Sequence, residues 1–394
     1  MVESEVALLR QNGVEVRELV VDNDRGPDDS LLDLAKIGWN SAWSSESHKL
    51  VADACGEFQP DVAHVHNFWL RWSPSVHRAC QSQGVPTVQT LHNFRLFCLN
   101  GLYKADGEVC LECSGKTPWR GVVNRCYRDS FIASMAVARM IVVNRMRGTW
   151  DKDVDTFIAL SEHSRQMYID GGLPEDRVVV KGNFVEDSGT VESGPSKSTE
   201  ILFAGRLAPE KGAEVLLEAW AHGGFSSRAR LTIIGDGPLG AQLKNRAKEL
   251  GLDELRVQFL GQRPVGEVRA RMSQARAVVI PSLFFECFPR TLVEAFSLGR
   301  PVIASNIGAL SELVTEDVGM MFPAKNAPAL AQAIGRLLDK PDHADRLGRQ
   351  ARELYASKYT PELAFHALRG IYQQTIEKKR GAMVRKPAFS AACL

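Results

Sequence analysis

Two cations and two glycines punctuate the run Ile201-Leu-Phe-Ala-Gly205-Arg206-Leu-Ala-Pro-Glu-Lys211-Gly212. An apolar strand should end at Gly205 and a helix should begin just after Gly212. Cationic side chains beside the free N–H groups of a helix start form an anion site suited to a diphosphate. A solvated cationic loop is the competing reading of this run by itself. The spacing is not that of a P-loop, because no G-x-x-x-x-G-K-[ST] occurs. A second run, Ile234-Gly235-Asp236-Gly237-Pro238, also sits between a strand and a helix, and its glycines permit close backbone approach. A third, from Pro281 through Glu286-Cys287-Phe288-Pro289-Arg290 to Glu294, carries carboxylates eight residues apart across a loop and a helix start. Such a pair can accept hydroxyl hydrogen bonds from a sugar and a ribose; a helix cap and a surface charge are the plainer alternative. In the first half, His64-Val-His66-Asn67 and His92-Asn93 each close an apolar run in polar residues.

Four cysteines form a separate pattern, Cys98, Cys110-Leu-Glu-Cys113 and Cys126, on a glycine-rich stretch of about 35 residues, long for an untethered loop. One C-x-x-C flanked by single cysteines can furnish four thiolates to a structural zinc ion; unconnected thiols and a disulfide pair remain open. Cys55, Cys80 and Cys287 have no partner in the pattern and are expected to fill core space. The triplets in Asp22-Asn-Asp24 and Asp151-Lys-Asp-Val-Asp155 lie away from the donor motifs and are not read as a metal site.

Elements that would position these residues alternate along nearly the whole chain. Its 394 residues, 44% hydrophobic and 24% charged, suit two or three soluble domains. Strands are expected at Val14–Val21, Asp61–His66, Pro86–Leu91, Thr156–Leu160 and Val178–Lys181. A second series follows at Glu200–Ala204, Arg230–Ile234, Val257–Leu260, Ala277–Ile280 and Pro301–Ala304. Amphipathic helical patterns lie between them, as in parallel α/β folds. The polar stretch Glu186–Thr199 reads as a linker, and a last helix from Pro361 carries Leu363, Phe365, Leu368, Ile371, Tyr372 and Ile376 on one stripe. These patterns predict two Rossmann-like doubly wound domains facing a cleft. Residues 1–187 form the first, 188–360 the second, and 379–394 a basic flexible tail.

The net charge of +1 gives no global signal for nucleic acid. It conceals 20 basic against 26 acidic residues through residue 190, and 28 against 21 afterwards. No apolar run is long enough to span a bilayer, and no secretory signal opens the chain, which favours a cytoplasmic reading. The run Phe131–Val143, interrupted by Arg139 and followed by Arg145 and Arg147, reads as a buried helix with a basic edge or as a peripheral patch at the inner membrane face.

The runs FAGRLAPEKG, IIGDGP, ECFPRTLVEA and GRPVIASNIGALSELV, in this order, resemble the retaining glycosyltransferases of family 4, and the similarity extends over nearly the whole chain. The resemblance implies the GT-B fold and transfer of a hexosyl unit from a nucleotide-diphosphate sugar to a carbohydrate or lipid-linked acceptor, as in polysaccharide and cell-envelope synthesis, with no catalytic cofactor. It assigns Arg206 and Lys211, with Gly205, Gly235 and Gly237 around them, to the donor diphosphate. Glu294 is assigned to the ribose, and Glu286 with the amides of Phe288, Pro289 and Arg290 to the transferred sugar. His92 matches the sugar-side histidine of the first domain, and the resemblance implies that the final helix, 361–378, crosses back onto that domain. Asn93 stands where an Asp often follows that histidine, and Cys287 and Pro289 stand where glycines are common, which bears on the sugar admitted. Family members open with a strand and a Gly-rich loop before the helix that Val2–Arg10 continues. The first domain is therefore expected to lack its opening strand. An inactive sugar-nucleotide-binding scaffold and a GT-B epimerase are the alternatives.

Overall fold

The computed structural model describes residues 2–21, 31–187, 189, 193–252 and 254–384. It divides into two compact units. Unit 1 comprises residues 1–160, 164–181 and 365–394; unit 2 comprises 161–163 and 182–364.

Among the described residues twelve strands follow in chain order. Unit 1 holds β1 (Ala63–Val65), β2 (Thr87–Thr90), the short hairpin β3 (Lys104–Ala105) and β4 (Glu108–Val109), β5 (Thr156–Ala159) and β6 (Val178–Val180). Unit 2 holds β7 (Glu200–Ala204), β8 (Arg230–Ile234), β9 (Val257–Gly261), β10 (Ala277–Ile280), β11 (Val302–Ser305) and β12 (Gly319–Phe322). The hairpin apart, every pairing is parallel. Helices cover parallel sheets on both faces, so their strands read as continuous apolar runs, and β2, β5, β10 and β11 are buried at every position.

The six-stranded sheet of unit 2 runs β12-β11-β10-β7-β8-β9. The chain leaves β7 toward one edge and, from β10, proceeds to the other. The topological switch point, where such sheets bind ligands, therefore lies at the carboxyl ends of β7 and β10. The core beside it packs Trp220, Phe225, Leu231, Ile233 and Leu216, all buried. The described part of the expected linker is not loose. Buried Arg276 donates to the carbonyls of Ser196 and Ser198, and buried Arg300 donates to those of Ser193 and Ala275.

The sheet of unit 1 runs β1-β2-β5-β6. Residues 14–21, expected as a strand, form none: Leu19 and Val20 are exposed, and the segment follows the helix Val2–Gln11 as irregular backbone. Between this segment and the unpaired edge of β1 lies a cavity of about 740 Å³, lined among others by Val16, Leu19, Val51, Val62 and Val65. A β-patterned segment has no ladder to join without a strand beside it, and among the described residues none occupies that place.

The last helix is longer than expected, Pro361–Val384, and from Phe365 onward it belongs to unit 1. The expected flexible tail is corrected over residues 379–384. They continue the helix, and the Lys379 ammonium lies 3.1 Å from Asp155 and hydrogen-bonds Gln81. Asp22, Asp24 and residues 385–394 lie outside the described residues. Among those described, no helix is long and apolar enough to cross a membrane. Cys55, Cys80 and Cys287 are all buried as expected, and the first two are neighbours, their sulfurs 4.0 Å apart.

Candidate functional site

Three loops at the carboxyl edge of the unit 2 sheet are stitched together by backbone hydrogen bonds. Leu207 N–H donates to the Asp236 carbonyl at 2.9 Å, joining the loops after β7 and β8. Leu283 N–H donates to the Glu210 carbonyl at 2.9 Å, joining those after β7 and β10. The joins require glycine. Gly212 has φ +65°, and a Cβ there would sit 1.9 Å from the Pro281 carbonyl oxygen; Gly235 has φ +137°, and a Cβ would sit 1.9 Å from the Gly205 carbonyl oxygen. Glycines singled out as permissive turn residues thus allow one loop to lie on the next.

The stitching brings the Lys211 ammonium to 2.8 Å from Glu286 Oε2. Glu286 Oε1 accepts a hydrogen bond from the Ser282 hydroxyl. Both partners keep a solvent-facing part, 31% for Lys211 and 16% for Glu286. Arg206, at the mouth of the same loop, is exposed. The Arg290 guanidinium lies 2.9 Å from Glu294, whose side chain is 15% exposed. Glu286 is therefore no helix cap. Pro289 is the N-cap of helix Arg290–Ser297 and offers it no side-chain cap. The helices Ala213–Gly223 and Gly240–Glu249, following β7 and β8, also start without a side-chain cap. Amide donors at three adjacent helix starts, with Arg206 and Lys211 beside the first, make this edge attractive to an anion.

His92 belongs to unit 1, where it stands in a buried polar chain. Its Nε2 lies 3.1 Å from His66 Nδ1. His66 Nε2 and His64 Nδ1 lie 3.2 and 3.3 Å from Glu5 Oε1, and the Lys181 ammonium lies 3.1 Å from Glu5 Oε2. His64 also contacts the Tyr372 hydroxyl at 2.7 Å and Thr90 Oγ1 at 2.8 Å. Burial, reinforced by His66, pushes His92 down to about 4 and His64 down to about 3, so both imidazoles are neutral at pH 7. Burial alone would raise the Glu5 carboxyl. The hydrogen bond from His66 and the charge of Lys181 instead hold it well below the usual carboxylate range. Sequence reading found His64, His66 and His92 but missed Glu5, Lys181 and Tyr372, which lie on three elements remote in sequence.

The acidic triplet at 151–155 is committed elsewhere. Asp153 bonds Arg78 at 2.8 Å, and Asp155 accepts from the Thr87 amide and Gln81 as well as Lys379.

A doubly wound parallel sheet with cationic and carboxylate side chains at its switch point has them where α/β proteins of this kind bind ligands. Comparison with known proteins narrows the class. Residues 2–183 match the family model of the glycosyl transferase 4-like domain, and residues 190–354 match that of the glycosyl transferases group 1. The chain is 32% identical over 178 residues to alpha-D-kanosaminyltransferase of Streptomyces kanamyceticus, covering 44% of this chain and 45% of that protein. It is 28% identical over 351 residues to D-inositol 3-phosphate glycosyltransferase of Acidothermus cellulolyticus, covering 83% and 70%. The fold matches Anabaena HepE in complex with UDP-glucose, with a TM-score of 0.62 at 19% identity over 95% of this chain and 88% of that one. It likewise matches sucrose-phosphate synthase from Thermosynechococcus elongatus, with a TM-score of 0.66 at 19% identity over 92% and 83%. Two glycosyltransferase family domains thus account for residues 2–183 and 190–354, and the fold is GT-B.

Proposed function

We propose that this chain transfers a hexosyl group from a nucleotide-diphosphate sugar to a carbohydrate or lipid-linked acceptor, with retention of anomeric configuration. The observation that carries the reading is the Lys211–Glu286 pair at the switch point, between uncapped helix starts. Arg206 and Lys211 bind the diphosphate and stabilise the charge that develops on it as the glycosidic bond breaks. Glu294 accepts from the ribose hydroxyls. Glu286, with the backbone around Phe288 to Arg290, holds the sugar, and neutral His92 bonds a sugar hydroxyl from its own domain. The departing phosphate oxygen takes the acceptor's proton on the face the acceptor attacks. Without ligand, Glu286 neutralises Lys211; an arriving diphosphate competes for that cation. The scheme calls on no catalytic metal, and a cytoplasmic location at the inner membrane face is consistent with it.

A second reading, binding without transfer, draws on the open edge of β1. Protection against thermal unfolding by a panel of nucleotide sugars identifies the donor, because a ligand bound only by the folded state stabilises it by mass action. Incubation with the labelled donor then separates the readings. A glycosylated product of retained configuration is expected; donor binding without turnover would establish a scaffold, and an isomerised sugar nucleotide an epimerase.

A further inference from the structure

The segment that leaves β2 after His92 carries Cys98, Cys110, Cys113 and Cys126, none assigned to donor or acceptor. Cys98 and Cys113 are buried, Cys110 and Cys126 half-buried, and all four are free thiols. They line one cavity of about 20 Å³, room for a single water or ion. Four local devices bring them there. The turn at Phe94–Gly101, closed by Cys98 N–H to the Phe94 carbonyl at 2.9 Å and Gly101 N–H to the Cys98 carbonyl at 3.0 Å, presents the first. The hairpin β3–β4 returns the chain so that Cys110 N–H reaches the Tyr103 carbonyl at 2.7 Å. The turn Leu111–Ser114 carries Cys113, and helix Trp119–Val123 ends with Cys126 N–H on the Gly121 carbonyl at 2.9 Å.

Lys104 and Arg120 line the same cavity. We infer that these four cysteines bind one structural zinc ion as a tetrathiolate. Four thiols release four protons as Zn²⁺ enters, leaving a centre of charge −2 that Lys104 and Arg120 offset in part, since Glu112 lines the same cavity and pairs with Arg120. A tetrahedral site takes Zn–S bonds of about 2.3 Å, and the sulfurs, no three of which stand within 4.8 Å of one another, would draw in around the void to reach it. The ion would fix the segment that begins directly after His92. The inference stands apart from the donor assignment.

Metal analysis of the full chain, produced with zinc in the medium and desalted, tests it. One zinc per chain is expected, falling roughly tenfold or more in Cys113→Ser. Cobalt(II) in place of zinc should give intense visible bands of a tetrahedral thiolate site in the unaltered chain, a readout that does not require a variant to fold. Four more thiols should react after chelation than before it. Folded wild-type chain without zinc and without cobalt–thiolate bands, or any two of the four cysteines joined by a disulfide in non-reducing mass spectrometry, would overturn the inference.

Discussion

Lys211 rests on Glu286 at 2.8 Å, while Arg206 is exposed at the same loop. Both cations act on charge that grows in the transition state, so their removal should cost turnover more than folding. Lys211→Ala and Arg206→Ala are each expected to lower kcat at least about tenfold with an unchanged circular dichroism spectrum. Near-wild-type transfer by either would remove the diphosphate assignment. Glu294 is mostly covered and tied to Arg290. Glu294→Gln should weaken nucleotide binding about tenfold, the order of a lost hydrogen bond to a charged group, in a calorimetric titration. At this scale the sequence was informative wherever a residue lay in a loop after a strand, because short connections keep such residues near the sheet edge. Ser282 was not legible as the partner of Glu286, nor were Glu5 and Lys181 as partners of one another. The last two meet only because the first helix and the end of β6 lie together in the folded unit.

Among elements, the glycines are the strictest requirement. Gly212→Ala places a methyl group against the Pro281 carbonyl at a left-handed φ. The variant should lose about 1–3 kcal/mol in chemical denaturation, together with the register of Lys211 against Glu286. Hydrophobic runs in β7 to β11 were readable to within a residue or so, since a strand buried on both faces leaves no other pattern. The strand expected at Val14–Val21 was misread for the complementary reason. Its β-branched composition records a preference, yet a strand exists only when a neighbour accepts its backbone hydrogen bonds. The last helix shows the opposite case, an apolar stripe that found its face. Leu368, fully buried on it, should cost about 2–5 kcal/mol when changed to Ala.

Over the whole molecule, the buried histidines make stability depend on pH. His64 and His92 titrate near 3 and 4 in the folded chain, below the ordinary 6.5. The unfolded chain therefore binds more protons between those values. The stability they confer is complete above about pH 6.5 and is lost as pH falls toward 4 and then 3. Glu5, also depressed, acts in the same direction. Tm should fall steadily from pH 7 to pH 4 and less steeply in His64→Gln; a flat profile would contradict this assignment. The helix Phe131–Arg147 presents Ile132 and Met146, 81% and 82% exposed, on one stripe with Arg139, whose guanidinium lies over Trp39. Co-sedimentation with anionic vesicles, reduced in Ile132→Glu, would support the peripheral patch; absence of co-sedimentation would leave only the buried helix with a basic edge. The division into two α/β domains followed from periodicity, which survives averaging over many residues. Placement of the cavity beside β1 did not, because it depends on a pairing that no local pattern encodes. On the proposed function, the switch point of the six-stranded sheet holds a nucleoside diphosphate. Calorimetric titration of the wild-type chain and Lys211→Ala with UDP, GDP, ADP and TDP tests it most directly. One of these should bind the wild type and lose roughly tenfold or more in affinity in the variant; binding of none, or equal binding to both proteins, would contradict the account.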